Sequence, residues 1–220
     1  MSQFEPEGYW AVPDPGQELG TGKEPGVLVL HPWWGLNDTV KGVCDRLAGE
    51  GFVAFAPDLY RGKIATTIEE AEVLSEQLDS AGAAADAATG VELLCERIGA
   101  EDCKLGVIGF SLGAYYAVQL SVDDPDRIQA VVLFYGTGEG DYNKAKASYL
   151  GHFAENDPYE QAEYVEGMEM ALAAAGRPVV FHRYADLGHW FFEPDRHDAY
   201  NEPAARLAWE RTLAFLKQSL

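Results

Sequence analysis

Two distinct sequence patterns meet in the segment Leu105-Gly106-Val107-Ile108-Gly109-Phe110-Ser111-Leu112-Gly113. Its first half is a continuous apolar run, typical of a strand buried on both faces of a parallel sheet. Its second half reads G-x-S-x-G and leads into an apolar helical pattern that extends to Leu120. A strand, a sharp turn carrying serine and a helix form the setting of a nucleophile elbow, where flanking glycines leave room for a strained backbone. The segment therefore predicts Ser111 as a nucleophile.

Similar apolar runs recur along the chain, and helical patterns separate them. The runs are Val27–Leu30, Val53–Ala56, Leu105–Phe110, Ala130–Tyr135, Ser148–Phe153 and Val179–Tyr184. One long helical pattern starts at Ile68 and resumes after Gly82 and Gly90 to end at Ile98. Alternating strands and helices predict right-handed crossovers and an α/β fold, a three-layer α/β/α sandwich, in a single domain over residues 1–220. Ligands bind such sheets at the carboxyl ends of the strands.

A serine hydroxyl needs a base, and the base needs an acid that orients it; in this kind of fold the chain order is Ser, acid, His. Three of the five histidines fall within or at the ends of apolar runs and are interpreted as satisfied core or edge residues: His31, His152 and His182. His189 follows the last run, and Gly188 before it permits a tight turn. His197 is the alternative, but its acidic, polar neighbours indicate solvated surface. His189 is the predicted base.

The acid is expected in the loop after the preceding strand, where Glu155, Asn156 and Asp157 occur. Asp157 is favoured because it precedes Pro158, a rigid loop corner, and because a short side chain is easily fixed at a buried site. Glu155 and Asp186 remain alternatives.

Two backbone amides should stabilise the oxyanion of the reaction. One belongs to Leu112, the residue after the nucleophile. The other should come from His31-Pro32-Trp33-Trp34-Gly35, where Pro32 has no N–H, so Trp33 is the candidate. We expect aromatic rings to wall an open substrate pocket: Trp33, Trp34, Tyr60, Trp190 and Phe191. No HExxH or His-x-His motif occurs and no G-x-G-x-x-G follows a strand, so neither a metal nor a cofactor is expected.

The charge balance excludes some partners. Sixteen Lys and Arg against 36 Asp and Glu leave a formal charge of −20, which repels phosphate backbones and anionic lipid. No apolar stretch approaches the roughly 18 residues of a membrane-spanning helix. Neither nucleic acid nor a membrane is an expected partner.

The cysteines and the N-terminus bear on location. Three cysteines, an odd number lying far apart, predict no disulfide framework and fit a reducing compartment. The stretch Met1–Glu5 shows no basic or apolar export signal. We therefore expect a cytoplasmic protein, a monomer or weak homodimer, whose partner is a small-molecule substrate.

Taken together, these segments resemble the dienelactone hydrolase family of α/β-hydrolases, the carboxymethylenebutenolidase-like enzymes, over nearly the whole chain. The resemblance is carried by Trp34-Gly35-Leu36-Asn37, Phe55–Tyr60, the elbow, His152–Asp157, Gly188-His189 and Glu210–Leu213. It implies a fold without a cap domain that cleaves an ester or lactone through an acyl-enzyme, with Ser111, Asp157 and His189 on the triad positions.

Three residues depart from the founding enzymes of that family. Ser111 stands where they carry cysteine, and Pro32 stands where they carry a glutamate that manages the protonation of the thiol. These two changes are mutually consistent, because a serine needs no such partner. Glu193 stands where arginines grip the substrate carboxylate, which predicts poor binding of anionic lactones and a preference for neutral substrates. Arg61 and Arg196 are the alternative carboxylate clamp.

The leading hypothesis is a serine hydrolase that cleaves carboxylic esters or lactones through an acyl-enzyme. A thioesterase or an acylpeptidase would use the same triad. A hydrolase fold without activity, serving as a binding protein, is the alternative from a different class.

Overall fold

The computed structural model describes residues 7–13 and 24–220. Met1–Glu5, the stretch on which the absence of an export signal was predicted, lies outside the described residues. The chain divides between Leu105 and Gly106 into two compact units, so the single domain over residues 1–220 stays a prediction. Within the described residues, no helix is long and apolar enough to cross a membrane.

The first unit contains strands β1 (Gly8–Ala11), β2 (Gly26–Leu30) and β3 (Val53–Pro57), in the spatial order β1-β3-β2. β2 runs parallel to β3, and β1 runs antiparallel to it. Every residue of β2 and β3 is buried, which confirms strands covered on both faces. β1 was not predicted from the sequence, because a strand of only four residues, one exposed, two half-buried and one buried, carries no usable periodicity.

The described part of this unit contains the helices α1 (Asp38–Gly49), α2 (Ile68–Glu76) and α3 (Ser80–Ile98). The prediction of one long helix from Ile68 to Ile98 is wrong, because the chain breaks before Asp79, which has an extended backbone. Gly82 lies close to the Asp79 side chain, since a Cβ on Gly82 would lie 2.6 Å from Asp79 Oδ2. Thr67 and Glu70 start α2 with reciprocal side-chain to backbone hydrogen bonds.

A disulfide joins Cys95, in the last turn of α3, to Cys103, eight residues further on. The prediction that the cysteines form no disulfide is therefore wrong for this pair. The reason is Gly99, which ends α3 in the left-handed conformation and turns the chain back on itself. Cys44 is free and buried, and burial raises the pKa of its thiol to about 12. The cysteines thus give no support to a reducing compartment, and the cytoplasmic location stays a prediction.

The disulfide should stabilise the protein by restricting the unfolded chain. A closed loop of this length corresponds to about 2 to 3 kcal/mol in the free energy of unfolding. We expect the double variant Cys95→Ser, Cys103→Ser to lose that amount in urea denaturation without reductant. Dithiothreitol should lower the stability of the wild type and leave the double variant unchanged. Equal stability of the two proteins in the absence of reductant would mean that the bond does not form in solution.

The second unit contains strands β4 (Leu105–Phe110), β5 (Ile128–Phe134), β6 (Ser148–Ala154) and β7 (Val179–Tyr184), adjacent in that order. β6 runs parallel to both β5 and β7. β4 and most of β5 are buried throughout. The prediction that β7 is buried on both faces is wrong, because β7 is the last strand in this order and Val180 is 53% exposed.

Helices α4 (Leu112–Asp123), α5 (Ala162–Ala174) and α6 (Glu202–Ser219) complete this unit. β5 contacts both α4 and α6. The core includes His152, whose ring nitrogens lie 2.9 Å from Tyr184 Oη and 3.0 Å from Thr212 Oγ1. His152 is thus a satisfied core residue, as predicted. The carboxyl ends of β4, β6 and β7 lead into the loops that carry the candidate catalytic side chains.

Candidate active site

Ser111 occupies the turn between β4 and α4. Its φ of 47° and ψ of −111° lie outside the regions that non-glycine residues ordinarily adopt. Gly109 makes this turn possible, because a Cβ there would lie 2.5 Å from the carbonyl oxygen of Gly113. The predicted strand, turn and helix are therefore confirmed, and the hydroxyl sits at the N-terminus of α4.

His189 connects the other two predicted residues. Its Nε2 lies 3.0 Å from Ser111 Oγ, and its Nδ1 lies 2.7 Å from Asp157 Oδ2. The side chains of His189 and Asp157 are only 4% and 2% exposed. A carboxylate can only accept a hydrogen bond, so His189 Nδ1 must carry the proton and donate to Asp157. His189 Nε2 is then free of a proton and accepts from the Ser111 hydroxyl.

The backbone holds the Asp157 carboxylate in place. Its second oxygen, Oδ1, accepts hydrogen bonds from the amides of Tyr159 at 2.9 Å and Glu160 at 3.0 Å. The alternative acids Glu155 and Asp186 are exposed, as is the alternative base His197. The structure thus brings Ser111, Asp157 and His189 together and leaves the alternatives outside this hydrogen-bonded set.

The oxyanion donors fall in different parts of the chain. Leu112 is the first residue of α4, where a backbone N–H has no partner within the helix. Trp33 belongs to the first unit, in a turn closed by a hydrogen bond from Gly35 N to Pro32 O. His31 supports this turn, because its Nδ1 lies 2.7 Å from Pro32 O while its Nε2 accepts from Leu59 N. The role of Trp33 as an oxyanion donor stays a prediction.

Two aromatic residues flank the histidine. Trp190 is half-buried, and its ring centroid lies 5.3 Å from that of His189. Tyr159 was missed in the sequence, although it follows Asp157 by only two residues; its ring lies 5.2 Å from His189 and 4.9 Å from Trp190. Tyr159 is 46% exposed, so it is available to a bound molecule.

Three residues predicted to line the pocket are buried instead. Phe191 is 0% exposed and packs between the rings of Tyr135 and Tyr184. Trp34, in the first unit, is 1% exposed and packs edge-on against Trp33. Glu193 is also 1% exposed. The prediction that these three wall an open pocket is wrong, because large rings and a carboxyl so completely covered cannot touch a substrate.

The carboxyl of Glu193 also differs in charge from what the sequence predicted. Burial raises its pKa to about 8, so the carboxyl is mostly protonated at neutral pH. A buried and mostly neutral Glu193 therefore does not support like-charge repulsion as the basis of selectivity.

Two further features are a carboxyl group next to the triad and a cavity in the first unit. Glu160 is partly buried, which raises its pKa, and it accepts hydrogen bonds from the amide and hydroxyl of Thr137. Tyr60 lines a cavity of about 210 Å³ with Arg61, Leu78 and Asp79; its part in substrate binding stays a prediction. In the described ranges 7–13 and 24–220, no group of three His, Cys, Asp or Glu side chains could hold a metal ion.

A strained serine after a buried strand, with an aspartate and then a histidine on later loops, is the arrangement of an α/β-hydrolase. In such enzymes a cap domain can be inserted after a strand, but here residues 136–147 contain neither helix nor strand. The model of the dienelactone hydrolase family matches residues 7–220, and the chain belongs to that family. It is a hydrolase.

Several known proteins are similar to the chain over most of its length. Protein usf of Aquifex pyrophilus is 34% identical over 97% of this chain and 93% of its own. A protein of Aquifex aeolicus, named as a proposed carboxymethylenebutenolidase, is 31% identical over 89% of each chain. The solved structure of a dienelactone hydrolase-like promiscuous phosphotriesterase from metagenomic libraries superimposes with a TM-score of 0.81 at 21% identity, covering 94% of this chain and 90% of its own. That likeness confirms the predicted α/β-hydrolase fold.

Proposed function

We propose that the protein is a serine hydrolase that cleaves carboxylic esters or lactones through an acyl-enzyme. The observation that carries this proposal is the pair of hydrogen bonds made by His189, to Ser111 Oγ at 3.0 Å and to Asp157 Oδ2 at 2.7 Å. The oriented imidazole makes a weak nucleophile reactive. Membership of the dienelactone hydrolase family supports the same class of chemistry.

The reaction proceeds in two halves. Ser111 Oγ attacks the acyl carbon while its proton passes to His189 Nε2, and the Leu112 N–H donates to the oxyanion. The bond from the acyl carbon to the leaving oxygen then breaks, and His189 gives the proton to that oxygen. Water next loses a proton to His189 and attacks the acyl-enzyme, which releases the acid and returns the proton to Ser111. Asp157 stays ionised and stabilises the imidazolium.

A fluorophosphonate probe tests the proposal directly. The wild type should gain the mass of one adduct, and peptide mapping should find it on Ser111. A protein that folds but gains no adduct would be the inactive binding protein instead. A panel of chromogenic esters, lactones and thioesters, together with an acylated amino-acid amide, then separates the esterase from a thioesterase or acylpeptidase.

Three other features support a preference for neutral substrates. Both arginines considered as a carboxylate clamp are engaged by acidic residues: Arg61 Nη2 lies 3.0 Å from Asp86 Oδ2, and Arg196 Nη2 lies 2.8 Å from Asp195 Oδ2. The rings of Trp190 and Tyr159 beside His189 offer apolar contact. With a net charge of −20, the protein also disfavours the approach of an anion.

We expect a neutral methyl ester to be hydrolysed with a kcat/KM about tenfold or more above that of the matching carboxylate-bearing substrate. Steady-state kinetics on such a pair measures the preference directly. Asp86→Asn removes the ion pair of Arg61, and Asp195→Asn removes that of Arg196. If one of these arginines can reach the substrate, its variant should show a smaller difference in kcat/KM between the neutral and the carboxylate-bearing substrate. Faster hydrolysis of the carboxylate by the wild type would contradict the charge argument.

A further inference from the structure

Tyr135 and Glu193 form a buried pair that the reaction above does not use. Tyr135 Oη donates to Glu193 Oε1 at 2.7 Å, and the two residues are 0% and 1% exposed. Glu193 Oε2 has no hydrogen-bond partner among the described residues. A buried carboxylate with one oxygen unpaired is strongly disfavoured. Burial therefore raises the pKa of Glu193 to about 8, and the carboxyl is mostly neutral below that pH.

The pair links the segment that contains His189 to the end of β5, which packs against the turn that carries Ser111. Tyr135 directly follows Phe134, whose carbonyl accepts from Ser111 N at 2.9 Å. The next residue, Gly136, packs so tightly that a Cβ there would lie 2.5 Å from Ser111 O. On the other side, Glu193 closes the turn that begins at Trp190, directly after His189, because its amide donates to Trp190 O at 2.9 Å.

Tyr135 also touches the catalytic base. Its ring centroid lies 4.8 Å from that of His189. The backbone of Tyr135 has a φ of 39°, a conformation that persists in a non-glycine residue only where the surroundings enforce it. The Tyr135 ring is therefore held beside the imidazole by its own hydrogen bond and by its strained backbone.

We propose that Tyr135 and Glu193 are positioning residues: their buried phenol to carboxyl hydrogen bond holds the segment that contains His189 against the end of β5, which packs on the turn that carries Ser111. The inference rests on the proposed function, since it assigns a role within the same site. It follows that loss of the bond loosens His189 Nε2 relative to Ser111 Oγ. Misplacement of a catalytic group by about 1 Å can cost two orders of magnitude in rate.

The experiment compares four variants with the wild type at pH 7. Tyr135→Phe removes one hydroxyl, and Glu193→Leu removes the acceptor; each should lower kcat about tenfold or more with little change in KM. Glu193→Gln retains a neutral acceptor, so its kcat should exceed that of Glu193→Leu about tenfold. The control is Tyr149→Phe, which removes a buried tyrosine hydroxyl bonded to Ser121 and should leave kcat unchanged. Tyr135→Phe keeps the test valid should Glu193→Leu not fold.

A pH profile adds a readout that packing alone would not change. The charged groups acting on the pair are Asp195, which raises the pKa of Glu193, Arg196, which lowers it, and Asp157, which acts on Tyr135. Above about pH 8 the wild type should lose kcat relative to Glu193→Gln, because only the wild type acquires a buried charge. If the ratio of these two kcat values stays constant up to pH 9, the idea that a neutral Glu193 supports the site is wrong.

Proton NMR separates this inference from the proposed function. The low-field resonance of the His189 proton shared with Asp157 should be present in the wild type and weakened in Tyr135→Phe, whether or not any ester is hydrolysed. If Tyr135→Phe keeps both that resonance and the wild-type kcat, the positioning role is wrong. If the wild type keeps the resonance but neither turns over an ester nor reacts with the phosphonate, the proposed function is wrong instead.

Discussion

Ser111→Ala should lower kcat for ester hydrolysis by about ten-thousand-fold or more, because it removes the hydroxyl that donates to His189 Nε2 and acts as the nucleophile. The fold should persist, since alanine retains the Cβ and the helix start. Stopped-flow or long-incubation assays with a chromogenic ester measure the loss. Ser121→Ala, on the same helix, removes a serine hydroxyl outside the triad and should remain active. A phosphonate adduct that persists in Ser111→Ala would contradict the assignment.

The strained backbone of Ser111 adds a stability comparison. A φ of 47° is costly for alanine as for serine, whereas glycine adopts it freely. Ser111→Gly should therefore be more stable than Ser111→Ala by about 1 kcal/mol, although both are inactive. Urea denaturation of the two variants makes the comparison. Equal stability would mean that the turn stores no strain.

Asp157→Asn should lower kcat by about ten-thousand-fold while the fold persists. The two backbone amides that bond to Oδ1 require an acceptor there, so the amide oxygen of asparagine takes that position and its NH₂ group faces His189 Nδ1. The imidazole must then accept at Nδ1 and carry its proton on Nε2, where it can no longer take a proton from Ser111. Steady-state kinetics together with the NMR signal of the imidazole protons would reveal the changed tautomer.

The matched controls for this substitution are Glu155→Gln and Asp186→Asn. Both residues are exposed, so both variants should hydrolyse esters at nearly the wild-type rate. Should either variant lose activity while Asp157→Asn keeps it, the acid has been assigned to the wrong residue.

Local patterns were sufficient to predict where Ser111, Asp157 and His189 would meet. Each follows a short apolar run, and the carboxyl ends of neighbouring parallel strands share one edge of a sheet. The turn around Ser111 was predictable because Gly109 and Gly113 sit at fixed offsets from it. These features depend on neighbouring residues, so the sequence alone was enough to predict them.

The features that were predicted wrongly depend on distant residues or on the path of the chain. Glu193 lies between the aromatic residues Trp190–Phe192 and the polar stretch that starts at Asp195, and its buried hydrogen-bond partner, Tyr135, is 58 residues away. The partnership of Cys95 and Cys103 depended on a chain reversal at Gly99. The prediction of one long helix failed because Asp79 has an extended backbone, which separates α2 from α3. Periodicity reports which face of an element is apolar, and it cannot report what covers that face.

The cross-link between Cys95 and Cys103 encloses a short exposed loop that includes Gly99, Glu101 and Asp102. An endoprotease that cuts within this loop would leave the two products joined covalently. The nicked protein should migrate as one band without reductant and as two pieces of nearly equal size with it. Because the cut falls close to the boundary at Leu105, this loop is also a natural place to divide the gene, with oxidation serving to rejoin the separately made halves.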